Sequence, residues 1–150
     1  MTPKTAAEAY ELEAEGGERL RFGEVEIVVK ASADTTSGAF TIFEENEPID
    51  TPLHVHENED ELFYVLEGEH VIQVGGEEFE VGPGALVFAP RGIPHSQRRV
   101  IPRTGRLLAL TSPAGFEGFF RELAVADRAG AIGPDAYARA SKKYGISWLS

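Results

Sequence analysis

The sequence predicts a mainly β protein, an antiparallel sandwich or barrel followed by two C-terminal α-helices, on three observations. Short runs of alternating apolar and polar residues follow one another from Leu20 to Thr111, with glycine or proline between them. No helical period interrupts that span. After Pro113 the period changes to that of an amphipathic helix. The boundaries divide the 150 residues into an N-terminal arm (1–19), a β domain (20–112) and a helical segment (113–150) packed on it, a length suited to a single core.

The arm is polar and rich in glutamate, broken at Gly16-Gly17, and reads as loosely structured, with Tyr10 and Leu12 available to dock. Leu20/Phe22 and Val25/Ile27/Val29 then alternate with charged residues, giving two half-buried strands split at Gly23. Asp34 to Gly38 is a loop of turn formers, after which Phe40 and Ile42 alternate with Thr41 and Phe43, giving another strand with apolar residues on both faces. A loop stiffened by Pro48 and Pro52 leads into Pro52-Leu-His54-Val-His56, and Glu57-Asn58-Glu59-Asp60 permits a reversal before Glu61, Phe63 and Val65. Gly75-Gly76 lies between two alternating runs, the signature of a tight hairpin, because primed turns need positive φ. Gly82-Pro83-Gly84 turns the chain into Ala85–Ala89, and Pro90-Arg91-Gly92 turns it toward His95. Ser96–Ile101 and Arg106–Thr111 read as a strand pair about the Pro102–Gly105 turn. Beyond it, Phe116, Phe119, Phe120 and Leu123 form one helical stripe ending near Gly130, and Pro134 opens a second helix that stops at Gly145. Core packing on the outside or end of the barrel, or against a second subunit, is the expected role of that stripe.

Composition excludes several function classes. A net charge of −11 repels nucleic acid and anionic membrane surfaces at long range. With no cysteine, disulfides and thiolate metal sites are impossible, so a metal must sit on nitrogen and oxygen. The N-terminus lacks an apolar signal core and no apolar run approaches the ~20 residues needed to span a bilayer, which predicts a cytoplasmic protein.

His54 and His56 are two residues apart, and in a strand such residues project to the same face. If the chain reverses after His56, Glu61 can meet them from a neighbouring strand, with His95 as a third imidazole. Imidazole and carboxylate donors of this kind suit a divalent transition metal. His70, at a strand edge and outside any motif, reads as structural.

His54-x-His56, four residues, Glu61, six residues and Gly68 together resemble the first motif of the cupin superfamily. Gly84, five residues, Pro90-x-Gly92, two residues and His95 resemble the second. The resemblance runs from about Phe40 to Thr111 and departs from the pattern at Pro48 and Arg99, neither of them a metal ligand in the family. It implies a cupin jelly-roll β-barrel holding one divalent transition metal per chain (Fe, Mn, Ni, Co, Cu or Zn) on His54, His56, Glu61 and His95. It further implies a small-molecule substrate and a homodimer paired through sheets and arms, while the acidic charge predicts no nucleic-acid or membrane partner.

The activity implied by the resemblance is that of quercetinase-like cupins, a metal-dependent dioxygenase with Glu61 as both ligand and catalytic base. A non-redox isomerase, decarboxylase or polyketide-cyclase-like enzyme and a non-catalytic binding or sensing module are the alternatives, since this barrel hosts many chemistries. Phe40, Ile42, Phe63, Val65, Phe88 and Gln97 are the expected cavity lining. Arg99 shares parity with Gln97 and is expected to reach solvent at the rim, alongside Arg98 and Arg103.

Overall fold

Period-two patterning and glycine turns produce strands along most of the chain in the computed structural model, which describes residues 7–149. In order these are β1 (Glu18–Phe22), β2 (Val25–Ala31), the short helix α1 (Ala33–Thr36), β3 (Thr41–Asn46), β4 (His54–His56), β5 (Asp60–Glu67) and β6 (His70–Val74). There follow β7 (Glu77–Val81), β8 (Leu86–Ala89), β9 (His95–Arg99), β10 (Arg106–Ser112), α2 (Glu117–Arg128), α3 (Pro134–Tyr144) and β11 (Ile146–Trp148). A six-stranded sheet ordered β1-β2-β3-β10-β5-β8 faces a five-stranded sheet ordered β11-β4-β9-β6-β7. The fold is a mainly β jelly roll of two antiparallel sheets with two C-terminal helices, and hydrogen bonding does not run continuously from one sheet into the other.

The Gly75-Gly76 hairpin forms as the turn chemistry dictates, with β6 paired to β7 and Gly75 at φ 60. Two expectations are corrected. The strands on either side of the Pro102–Gly105 turn do not pair with each other, because β9 joins β4 and β6 in one sheet while β10 joins β3 and β5 in the other. A turn between alternating runs fixes a reversal and leaves open which sheet each strand enters. In β3 the inward face is Thr41, Phe43 and Glu45, one residue out of phase with Phe40 and Ile42, and a shift of one residue sends every side chain to the opposite face.

The arm runs over β2. Tyr10 donates its hydroxyl to the Lys30 carbonyl, and the Lys30 ammonium donates to the Ala14 and Gly16 carbonyls, while Leu12 stays exposed.

The helical segment shares the core of the sheets. Phe116, Phe119, Phe120 and Leu123 are buried with Phe22, Phe43 and Phe63 in one cluster, and the Phe120 ring lies 4.8 Å from Phe43 and 5.9 Å from Phe22. The start of α2 is anchored by Glu117, a buried carboxylate accepting hydrogen bonds from the Ala33 amide at 2.6 Å, the Thr41 hydroxyl at 2.7 Å and the Gly115 amide at 2.9 Å. Burial opposes its charge, but these donors outweigh the penalty and hold its pKa below the ordinary carboxylate value.

Candidate metal centre

Residues from three strands of the two sheets converge between them. His54 and His56 lie on the same face of β4, His95 opens β9 directly opposite His54, and Glu61 reaches across from β5 in the other sheet. All four are buried, and each offers a nitrogen or oxygen within 4.8 Å of the others. Their imidazole centroids are 4.4 Å apart for His54–His95 and 5.1 Å for both His54–His56 and His56–His95.

Hydrogen bonding prepares these nitrogens differently. His54 Nδ1 lies 2.9 Å from the Pro52 carbonyl, which accepts its proton and leaves the Nε2 lone pair free. Glu61 Oε1 lies 2.9 Å from His95 Nε2 and 3.3 Å from His56 Nε2, so one carboxylate oxygen serves two imidazoles. Nδ1 of both His56 and His95 is buried without a partner, and Glu59 stands 3.9 Å from that of His56.

The titration behaviour reflects this crowding. Burial, reinforced by the neighbouring His95, pushes His54 down to about 4. Burial also opposes charge on His56, but Glu61 outweighs it and raises the pKa. Glu61, whose burial alone would favour the neutral acid, is held well below the ordinary carboxylate range by His56 and His95.

A divalent cation fits this donor set. Replacing the protons between Glu61 and the two imidazoles by a metal would leave three neutral nitrogens and one carboxylate oxygen around a positive centre. The net charge of the filled site would be positive, suited to an anionic or electron-rich oxygen donor.

Beside the cluster lies a cavity of about 100 Å³. One wall is polar, built from His54, His56 and Glu61 with Glu45, Thr51 and Gln97; the other is aromatic, with Phe116, Phe119 and Phe120 from α2, Tyr137 from α3 and Trp148 from β11. The Trp148 ring lies 4.9 Å from His54, tilted by 38°, and donates its indole N–H to the Ser141 hydroxyl at 2.8 Å. Phe116 stands edge-on to His56 at 4.6 Å. Burial raises the Glu45 pKa to about 7, against the lowering effect of the Gln97 amide N–H that it accepts.

Of the expected lining, Phe63 and Gln97 border the cavity. Val65 is core beyond it, Phe40 and Ile42 fall on the wrong phase of the chain, and Phe88 is 52% exposed on the outside of β8 because Val87 and Ala89 take the inward positions. His70 is buried and structural, its Nε2 bonded to the Glu67 carbonyl at 2.9 Å. Arg99 pairs loosely with Asp50 and does not border the cavity.

The aromatic stripe of α2 corrects the expectation that it serves packing alone, since it closes the cavity as well. The i, i+3, i+4 spacing was the available signal, but periodicity identifies a buried face without saying whether an empty space lies against it. Glu45 is signalled by the alternative phase Thr41-Phe43-Glu45, and Trp148 only by being an apolar residue after a helix stop.

Comparisons with known proteins agree with the geometry. The cupin domain model matches residues 39–109, which contain both motifs. Quercetin 2,3-dioxygenase from Bacillus subtilis is 32% identical over 116 residues, 76% of this chain and 34% of that protein. The matched stretches span about a third of the curated relatives, 34% and 36% of their lengths. Among solved structures, the polyketide cyclase RemF from Streptomyces resistomycificus superposes with a TM-score of 0.57 at 25% identity, covering 69% of this chain and 79% of that one. KdgF from Halomonas sp. superposes at 0.60 with 17% identity over 71% of this chain and 97% of its own, a likeness of fold. With both motifs inside the matched domain and their side chains gathered between the two sheets, the chain belongs to the cupin superfamily.

Proposed function

We propose that this protein is a metal-dependent enzyme that acts on a small organic molecule, with one divalent transition metal held by His54, His56, Glu61 and His95. The observation that carries the reading is the convergence of four buried donor side chains within 4.8 Å beside a cavity. A dioxygenase-like reaction is favoured by the similarity to a quercetin 2,3-dioxygenase along 76% of the chain. When bound, the metal supplies a positive centre that lowers the pKa of an oxygen donor and orients it.

The chain's own groups do the rest. Pro52 fixes the His54 tautomer so that Nε2 faces the cluster. Glu61, dehydrated between two imidazoles, is placed to accept a proton from a hydroxyl entering beside it. The aromatic wall excludes water and offers flat faces to a ring. A second reading, a non-redox polyketide-cyclase-like enzyme, is favoured by the RemF likeness, and it uses the same side chains.

Elemental analysis of protein purified without an affinity tag, beside His56→Ala, tests the site. About one metal per chain is expected in the parent and at least a ~100-fold loss of affinity in the variant, since even residues one step removed from a metal cost 10–100-fold. Equal metal in both proteins would refute the four-residue site. Oxygen uptake with phenolic and enediol compounds separates the readings: uptake supports the dioxygenase, and conversion without it supports the cyclase-like enzyme.

We also infer a homodimer, supported by the outer face of the six-stranded sheet. Ile42, Leu110, Leu62 and Phe88 lie side by side across four strands, with Leu108, Tyr64 and Leu86 in the next row. Leu86 is 57% exposed on the edge strand β8. Light scattering should give twice the chain mass for the parent and the chain mass for Phe88→Glu; a monomeric parent removes the inference.

A further inference from the structure

The polar wall contains a pair of side chains outside the metal cluster whose hydrogen bonds leave acceptor atoms unused. Gln97 donates Nε2 to Glu45 Oε2 at 2.9 Å and to the Ile49 carbonyl at 3.4 Å. Both partners are acceptors, so the amide nitrogen must face them, and its two N–H groups are used. The amide oxygen, which can only accept, has no donor among the described residues and belongs to a side chain bordering the cavity. Glu45 spends one oxygen on the same bond and keeps the other. Neither lysine nor arginine borders the cavity among the described residues. Gln97 stands two residues from His95 on the same face of β9, about 7 Å along the strand, within the span of one ring compound anchored at the cluster.

We propose that Glu45 and Gln97 form the hydroxyl-recognition subsite of this cavity, selecting a ring compound with a neutral hydroxyl over one with a carboxylate; this rests on the cavity being a small-molecule site beside a metal. A hydroxyl donates its one proton to Gln97 Oε1 and accepts from Glu45 when that carboxyl is protonated. A carboxylate meets an acceptor on one side and another carboxyl on the other, with no cation of the chain to neutralise it, and a buried acceptor left without a donor is costly.

The test uses metal-bearing protein titrated anaerobically with phenol, resorcinol and 3-hydroxybenzoate, three rings that share one phenolic oxygen and differ in the second group. Emission of Trp148, the only tryptophan in the chain and part of the cavity wall, reports occupancy, with calorimetry as a second readout. Resorcinol should bind ~10-fold more tightly than phenol, and 3-hydroxybenzoate at least ~10-fold more weakly than resorcinol, the worth of one such hydrogen bond. In Gln97→Leu the resorcinol preference should fall to within ~2-fold while phenol binding holds. In Glu45→Gln, a milder change, 3-hydroxybenzoate should regain several-fold in affinity. If 3-hydroxybenzoate binds the parent as tightly as resorcinol, or resorcinol keeps its preference in Gln97→Leu, the subsite is overturned and the small-molecule site stands. If none of the three binds to metal-bearing protein, the small-molecule reading fails and the subsite with it.

Discussion

The two walls of the cavity are made of different materials and answer to different physics. The polar wall comes from β3, β4, β5 and β9, and with His95 beside it crowds three imidazoles and two carboxyls into a dehydrated space. The aromatic wall comes from α2, α3 and β11 and consists mainly of rings packed on rings. A polar wall of this kind stores unfavourable electrostatics that a bound cation relieves, whereas an aromatic wall contributes apolar burial whether or not anything is bound. Stability and binding capacity should therefore be separable by mutation.

The largest expected effect tests that separation on the aromatic side. Phe120 packs against Phe22, Phe43, Phe116 and Phe119, so Phe120→Ala should destabilise the fold by about 3–5 kcal/mol. Metal bound per folded molecule should stay near the parent value, the reverse of His56→Ala, which should lose metal while keeping most of its unfolding midpoint. Urea unfolding and metal analysis on the same samples measure both quantities. If Phe120→Ala lost its metal before it lost its structure, the two walls would not be separable.

The same contrast explains what could be read from the sequence. His54, His56, Glu61 and His95 were legible because first, a strand places residues two apart on one face and, second, the glycine and proline spacing matched a known motif. The sheet that each strand enters was less legible: β9 and β10 flank one turn yet separate, a choice made by long-range pairing. The phase of β3 was ambiguous because Phe40, Ile42 and Phe43 give both faces an apolar character. Trp148 reaches His54 only because β11 adds to the edge of β4, a pairing of residues 90 to 94 apart in the chain with no local signal.

Glu117 offers a smaller test at the junction of the walls. Removing its carboxylate in Glu117→Ala leaves the Ala33 and Gly115 amides and the Thr41 hydroxyl without their acceptor, a loss of about 2–3 kcal/mol at neutral pH. Because its folded pKa lies below the ordinary 4.5, its stabilisation is complete above that value and disappears as pH falls through the lower folded one. The gap between parent and variant should therefore narrow in acid; a gap that stays constant would mean that the charge is not what anchors α2.

Glu45 should behave with the opposite sign, and it gives the finest distinction. Its folded pKa is raised from 4.5 to about 7, so over that interval the unfolded chain has released a proton that the folded chain still holds. Stability therefore declines as pH rises from 4.5 to about 7, and the deficit persists above. Glu45→Gln cannot ionise, so in metal-free protein its melting temperature should match the parent at about pH 5 and exceed it by a few degrees at about pH 8. A divalent ion in the neighbouring cluster would favour the ionised carboxylate, which should shrink that advantage in metal-bearing protein. An advantage that grew with pH only in the absence of metal would tie the instability of the polar wall to the charge it is built to receive. An advantage independent of both pH and metal would assign Glu45 to ordinary packing.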